Sequence, residues 1–288
     1  MATVLSTRVE ELRRDRTHGG SWLARRAVEA LAELAEETEA APEELVRRLV
    51  AAGRELASSA SGIGAVAGAV GRLLATAHRQ AHLDVDELRR LVRDEAEALV
   101  VGGRRASASI AIQLRDALTD AVVLTHSASA TVREALLYTP PERVVCTASL
   151  PHGEGHAFAD ELREGGLAVE LVEDEEAARE LEWASLLLVG ADTVFRNGTL
   201  CNKVGTRRLA EAAAEARVPM LVACESIKLA PFDPPPEAKL GPERDLTGPE
   251  LIDSIVTEEG RCAGDEVRPL LDRTPFLLEG YALLRGSA

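Results

Sequence analysis

Lysine, asparagine and aromatic side chains are scarce in this sequence. Of 33 basic residues only Lys203, Lys228 and Lys239 are lysines, asparagine occurs only at Asn197 and Asn202, and aromatics make up 3% of 288 residues. Four cysteines (Cys146, Cys201, Cys224 and Cys262) lie far apart with no CxxC spacing. That spacing excludes a zinc ribbon or a disulfide framework. No run approaches the roughly 18 uninterrupted apolar residues of a transmembrane helix, so no membrane association is expected. The N-terminal MATVLSTRVEELRRDR has no basic stretch followed by an apolar one, so a secretory signal is not expected and a cytoplasmic location is. Positive charge is also in deficit, with 48 Asp+Glu giving a net charge of −15. Phosphates are repelled on average, and direct nucleic-acid binding is not expected.

What is present is enough for a real core. Hydrophobic residues make up 46% of the chain, and its length suits one large or two ordinary domains. Up to about residue 118, apolar residues recur at helical spacing: Val9 and Leu12, then Leu23, Ala27, Leu31 and Leu34, and Leu45, Leu49 and Leu56. Breaks fall at His18-Gly19-Gly20, Ala41-Pro42, Ser58–Gly64, Asp84 and Gly102-Gly103. This predicts an N-terminal helical bundle over residues 1–118.

From residue 119 the period changes. Apolar β-rich runs at 121–125, 143–148, 167–172, 185–190, 219–224 and 254–259 alternate with helical stretches near 128–138, 155–165, 174–182 and 203–217. Strands this apolar, separated by helices, predict an α/β domain over 119–288: a Rossmann-like, doubly wound parallel sheet covered on both faces. Ligands of such sheets bind beyond the C-terminal strand ends.

The strand-end rule selects the loops Thr125–Thr131, Ser149–His156, Gly190–Asp192 running on to Thr206, Cys224–Lys228 and Thr257–Gly260. Acids, hydroxyls, both asparagines and two of the three lysines gather there. That kit suits an anionic, hydroxylated small molecule: ammonium for phosphate, Asn and Ser for hydroxyls, Asp for proton transfer. Asn197-Gly198 reads as a tight turn, and Asn202-Lys203 as the opening of a helix. His152/His156 and His78/His82 have no evident third ligand, so neither metal nor cofactor is expected. In the helical half, His18-Gly19-Gly20-Ser21 precedes an arginine-containing helix, and such a glycine pair lets backbone N–H groups approach a phosphate.

Gly190-Ala191-Asp192, Asn197-Gly198 and Asn202-Lys203-Val204-Gly205-Thr206 form a GAD-x4-NG-x3-NK-x-GT pattern. Together with Leu124-Thr125-His126, Pro151 with Gly155, Ala223-Cys224-Glu225-Ser226 with Lys228, and Val256-Thr257-Glu258-Glu259-Gly260, it resembles a known family. This is the α, β and δ regulatory subunits of translation initiation factor 2B with their metabolic relatives, ribose-1,5-bisphosphate isomerase and methylthioribose-1-phosphate isomerase. The resemblance implies a helical N-terminal domain, a Rossmann-like C-terminal domain and a homodimer built through the latter, with higher assembly open.

For the isomerases, the resemblance implies an aldose–ketose conversion in which a cysteine takes a proton and an aspartate gives one. The aspartate matches Asp192, the substrate-binding pair Asn202 and Lys203, and a further phosphate lysine Lys228. The helix start after the first strand, Ser129-Ala130-Thr131, and the early loop His18-Gly19-Gly20-Ser21 complete the implied binding set, with His18 in place of an arginine. The cysteine's place is held by Ser127, and the segment ELASSASGIG around Ser58-Ser59, where the isomerases place a phosphate-binding arginine, contains none. A thiol is tuned to thiolate far more readily than a hydroxyl loses its proton. The expectation is therefore a protein that binds a phosphorylated sugar or nucleotide in a regulatory or weakly catalytic role. The alternative is a sugar-phosphate isomerase that pairs Asp192 with a base other than cysteine.

Overall fold

The computed structural model describes residues 4–15 and 19–286. The chain divides into two compact units: Met1–Arg104, Ile227–Pro231 and Thr274–Ala288 form one, Arg105–Ser226 and Phe232–Arg273 the other.

The helical unit is built from α1 (Val4–Arg14), α2 (Gly20–Glu37), α3 (Pro42–Ser59), α4 (Gly64–Arg79) and the start of α5 (Val85–Leu118). Its core is a leucine layer, with Leu31, Leu45, Leu49, Leu73 and Leu74 fully buried. The helix starts follow local chemistry. Pro42 opens α3 with its ring φ already helical, and Asp84 Oδ1 accepts from the N–H groups of Asp86 and Glu87 at 3.0 and 2.9 Å at the start of α5. The expected break at Gly102-Gly103 is absent: α5 runs unbroken through it for 34 residues. Two mid-helix glycines cost about 2 kcal/mol together. Buried Leu88, Val92 and Ala96 before them and Ile110, Leu114 and Leu118 after them outweigh that cost.

The α/β unit carries α6 (Ala130–Tyr138), α7 (Glu154–Glu164), α8 (Ala177–Glu180), α9 (Thr206–Ala216) and α10 (Arg268–Asp272). Its strands are β1 (Val122–Thr125), β2 (Arg143–Thr147), β3 (Val169–Val172), β4 (Leu186–Val189), β5 (Thr193–Phe195), β6 (Leu200–Lys203) and β7 (Met220–Ala223). After the short β8 (Leu229–Ala230), which lies in the helical unit's segment, come β9 (Arg244–Thr247), β10 (Ser254–Thr257) and β11 (Gly260–Cys262).

The main sheet has the order β11-β10-β7-β4-β1-β2-β3. All its pairings are parallel except β10 with β11. All six predicted strands are therefore present in one doubly wound sheet, whose strand order reverses between β1 and β4, the place where such folds open a crevice. The end of α5 covers one face, with Ile110, Leu114 and Leu118 in one core with Val123, Val144 and Leu188. The sequence reading did not separate out a small antiparallel ribbon. There β5 and β6 form a hairpin and β9 pairs with β6 in the register Lys203↔Arg244, Asn202↔Asp245 and Cys201↔Leu246. Asn197-Gly198 is its turn, with Gly198 at φ +85° and Asn197 Oδ1 accepting from the Thr199 N–H at 3.1 Å.

The final helix, α11 (Phe276–Arg285), packs against α4 within the helical unit. The two helices touch backbone to backbone: a Cβ added at Gly280 would sit 2.5 Å from the Gly71 carbonyl carbon, whereas one at Gly102 or Gly103 would meet nothing within 4 Å. Gly280→Ala should therefore lose stability by about 1–3 kcal/mol, as overpacking outweighs the helix-propensity gain. Gly102→Ala should gain roughly 0.5–1 kcal/mol. Urea denaturation midpoints of the two variants should move in opposite directions.

Candidate functional site

At the end of β1 the chain turns sharply, with Ser127 at φ +66°. His126 just before it is buried, and its two ring nitrogens are committed. Nε2 lies 2.9 Å from the Val204 carbonyl and Nδ1 lies 2.7 Å from Thr147 Oγ1. A carbonyl only accepts, so Nε2 carries the proton and Nδ1 accepts from Thr147. Ser149 Oγ, 2.8 Å from Thr147 Oγ1, then donates to Thr147 and accepts from the Ser127 N–H at 2.8 Å. This relay joins the ends of β1 and β2 to the turn before α9. Gly205, at φ +103°, lets that turn close on the imidazole, because a Cβ there would lie 3.1 Å from Nε2. Burial lowers the His126 pKa, against the pull of the Val204 carbonyl and the Asp174 and Glu154 carboxylates, so the ring is neutral. With Nδ1 taken by Thr147 and Nε2 by the Val204 carbonyl, it has no nitrogen to offer Ser127 as a base.

The Ser127 hydroxyl instead donates to Glu154 Oε1 at 2.9 Å. Glu154 is the first residue of α7, and its two carboxylate oxygens also lie 2.8 and 3.0 Å from Lys203 Nζ. The Lys203 side chain is 8% exposed and that of Glu154 19%. The β2–α7 loop that carries Glu154 is fixed by Asp174, whose carboxylate accepts from the N–H groups of Ser149 and Leu150 at 2.6 and 2.8 Å.

Asp192 forms a second pair, its Oδ2 accepting from Arg244 Nε at 2.7 Å. Burial alone would lower the Arg244 guanidinium pKa, but the Asp192 charge and hydrogen bond outweigh it and raise the value. Directly opposed residues of an antiparallel pair share one face, so Lys203 and Arg244 stand side by side. Two cations, each with its own carboxylate, therefore share that face of the ribbon.

Beside this, α6 starts at the reversal point of the sheet. Ser129 caps it, accepting from the Val132 N–H at 3.3 Å, with Ala130 next and Thr131 donating to the buried Glu225 Oε1 at 3.0 Å. Ser107 donates to the same oxygen at 3.1 Å. Gly190, just after β4, lies against Ser129, where a Cβ would come 2.5 Å from the hydroxyl oxygen.

The remaining candidates are placed elsewhere. Asn202 and Lys203 lie in β6 and do not open a helix. α9 begins at Thr206, and Asp245 Oδ2 caps it by accepting from the N–H groups of Gly205 and Arg207 at 2.8 and 3.2 Å. Asn202 therefore points to the opposite face from Lys203 and donates to Thr206 Oγ1 at 3.1 Å. Lys228 is buried in the single turn Ser226–Lys228 and is grouped with the helical unit. Gly19, Gly20 and Ser21 start α2 in that unit, and His18 lies outside the described residues. Sequence reasoning missed Glu154 and Arg244. The acidic start of α7 after a strand end was a faint signal for the first; nothing local marked the second.

No cysteine takes the place that Ser127 holds. Burial pushes the Cys146 and Cys201 thiols up to about 12, and the half-buried Cys262 up to about 11. Cys224 is buried with its thiol on the Glu225 carbonyl. Among the described residues no His/Cys/Asp/Glu group could hold a metal.

Two tests follow from these environments. Iodoacetamide at pH 8 should label the native protein at Cys262 first and at Cys146 and Cys201 only on unfolding, read by peptide mass spectrometry. The lowered folded pKa of His126 contributes stability that is complete above its unfolded value, near 6.5, and is lost as pH falls through the folded one. His126→Asn should cost about 1–3 kcal/mol at pH 7.5. It should also flatten the fall in urea midpoint between pH 7.5 and 5.5 relative to the unsubstituted protein.

The profile of the initiation factor 2 subunit family matches residues 16–235. A putative translation initiation factor eIF-2B subunit 2-like protein of Pyrococcus horikoshii is 34% identical over 228 residues, covering 77% of this chain and 78% of that one. A ribose 1,5-bisphosphate isomerase of Haloterrigena turkmenica is 28% identical over 94% of both chains. Among solved structures, a Pyrococcus horikoshii translation initiation factor eIF-2B superposes with a TM-score of 0.78 at 26% identity, covering 91% of this chain and 98% of that one. The eIF2B-beta2-delta2 complex of C. thermophilum gives 0.82 at 22% identity, covering 94% and 95%, a likeness of fold. With the helical N-terminal half, the reversed parallel sheet and the strand-end motifs, these matches establish that the chain belongs to the initiation factor 2 subunit family.

Proposed function

We propose that this chain binds a phosphorylated sugar or a nucleotide at the strand ends of its α/β unit, in a regulatory or weakly catalytic role. The observation that carries the reading is the pairing of Asp192 with Arg244 at 2.7 Å and of Ser127 with Glu154 at 2.9 Å. Proton shuttling needs one group free to give a proton and another free to take it. In an ion pair with a guanidinium the Asp192 carboxylate is an acceptor and has no proton to give. The Ser127 hydroxyl donates and has no histidine to take its proton. The binding kit is better supported: Lys203 and Arg244 on one face, and the capped start of α6 across from Gly190, suit phosphate and hydroxyl groups. Asn202, on the opposite face of β6, and Lys228 and Gly19-Gly20-Ser21, grouped with the helical unit, are left out of this proposed set. A cytoplasmic homodimer formed through the α/β unit belongs to the same reading.

One observation favours isomerase chemistry instead. Glu154 places a carboxylate beside the position that holds cysteine in the isomerases, so it would supply the base that Ser127 does not. Phosphorus and proton NMR separates the two. Ribose 1,5-bisphosphate mixed with the protein should show phosphorus line broadening without product, and Lys203→Ala should weaken binding at least tenfold by calorimetry. Conversion to ribulose 1,5-bisphosphate that stops in Asp192→Asn would replace the binding reading with the isomerase one.

A further inference from the structure

The ammonium that would receive the ligand's phosphate is already taken. Both Glu154 carboxylate oxygens lie within 3.0 Å of Lys203 Nζ, and a phosphate cannot occupy the same ammonium face without meeting a like charge. Resting on the binding reading above, we propose that Glu154 is the site's own counter-ion: it holds Lys203 in the free protein and yields that position to the ligand's phosphate.

The two partners differ in their freedom to move. Lys203 ends a strand paired on both edges, and its side chain is 8% exposed. Glu154 is 19% exposed and is the first residue of α7. A carboxylate there can turn toward water while staying at the helix's N-terminal end, where the dipole favours it. The carboxylate moves and the ammonium stays. Ser127 holds Glu154 in place through its hydroxyl and is released in the same exchange. The counter-ion also keeps Lys203 from being a buried unpaired charge when no ligand is present.

Because the free protein must give up an ion pair to bind, removing the carboxylate strengthens binding. Glu154→Gln should bind ribose 1,5-bisphosphate at least tenfold more tightly than the unsubstituted protein by isothermal titration, and should gain measurable affinity for inorganic phosphate. Ser127→Ala, which loosens Glu154, should tighten binding two- to fivefold alone and add nothing in the Glu154→Gln background, as expected of residues acting through one another. Lys203→Met should abolish the gain in every background. If Glu154→Gln folds poorly, Ser127→Ala and Glu154→Asp carry the test, since both keep the charge and change only how it is held. Equal or weaker binding by Glu154→Gln, with the unsubstituted protein still binding, would overturn the counter-ion proposal and leave the binding reading standing. Absence of binding by both proteins would overturn the two together.

Discussion

Two basic side chains, the buried Lys203 and the partly buried Arg244, govern the local structure at the strand ends. They face each other across β6 and β9, and each is largely withdrawn from water. Leaving one such charge without its partner costs about 3–5 kcal/mol, so the surrounding loops must deliver carboxylates to them. The loop after β4 brings Asp192 to Arg244 and the loop after β2 brings Glu154 to Lys203. Backbone hydrogen bonds to Asp174 and Asp245 then fix the turns on either side. The geometry of the rim follows from charges that each need a partner.

These charges sit beside a neutral hydrogen-bond relay. His126 could be charged only by bringing a second cation close to Lys203 in a medium that disfavours both. Burial resolves this by keeping the imidazole neutral. The Val204 carbonyl then fixes its tautomer, and the tautomer sets the direction of every hydroxyl from Thr147 to Ser149. The Ser127 N–H ends that chain, which accounts for the backbone of Ser127 being held in the left-handed region while its side chain is turned toward Glu154.

Much of this was legible in the sequence, for physical reasons. Apolar runs such as SLLLVG and PMLVAC became central strands because only a sheet buried on both faces accommodates them. Asn197-Gly198 made its turn because a glycine there reaches φ +85° without strain. Period and composition were silent on three features. The helix through Gly102-Gly103 depends on buried contacts on both sides of it, which local propensity does not contain. The return of α11 to pack on Gly71 depends on two glycines more than 200 positions apart. Arg244 is one of 30 arginines, and only the pairing of β9 with β6 distinguishes it. Glu154 likewise reads as an ordinary acidic helix start until the fold brings Lys203 to it.

The fold alone does not separate an enzyme from a binding protein in this family; the pairing of a few side chains does. A proton shuttle needs groups whose charge state can change, while a stable binding site needs groups whose charge is fixed. Here the groups that the resemblance to the isomerases assigns to proton transfer are engaged in pairs. Asp192 is ion-paired, Ser127 donates to a carboxylate, and His126 spends both nitrogens on the scaffold. In the proposed binding reading the same pairs suit recognition, because each cation is held in position by its carboxylate. A thiol at position 127 would change this balance, since a thiol reaches its anion far more readily than a hydroxyl does. The step from binding to chemistry in this architecture is therefore short in sequence. What limits it is which nearby group is free to hold a proton.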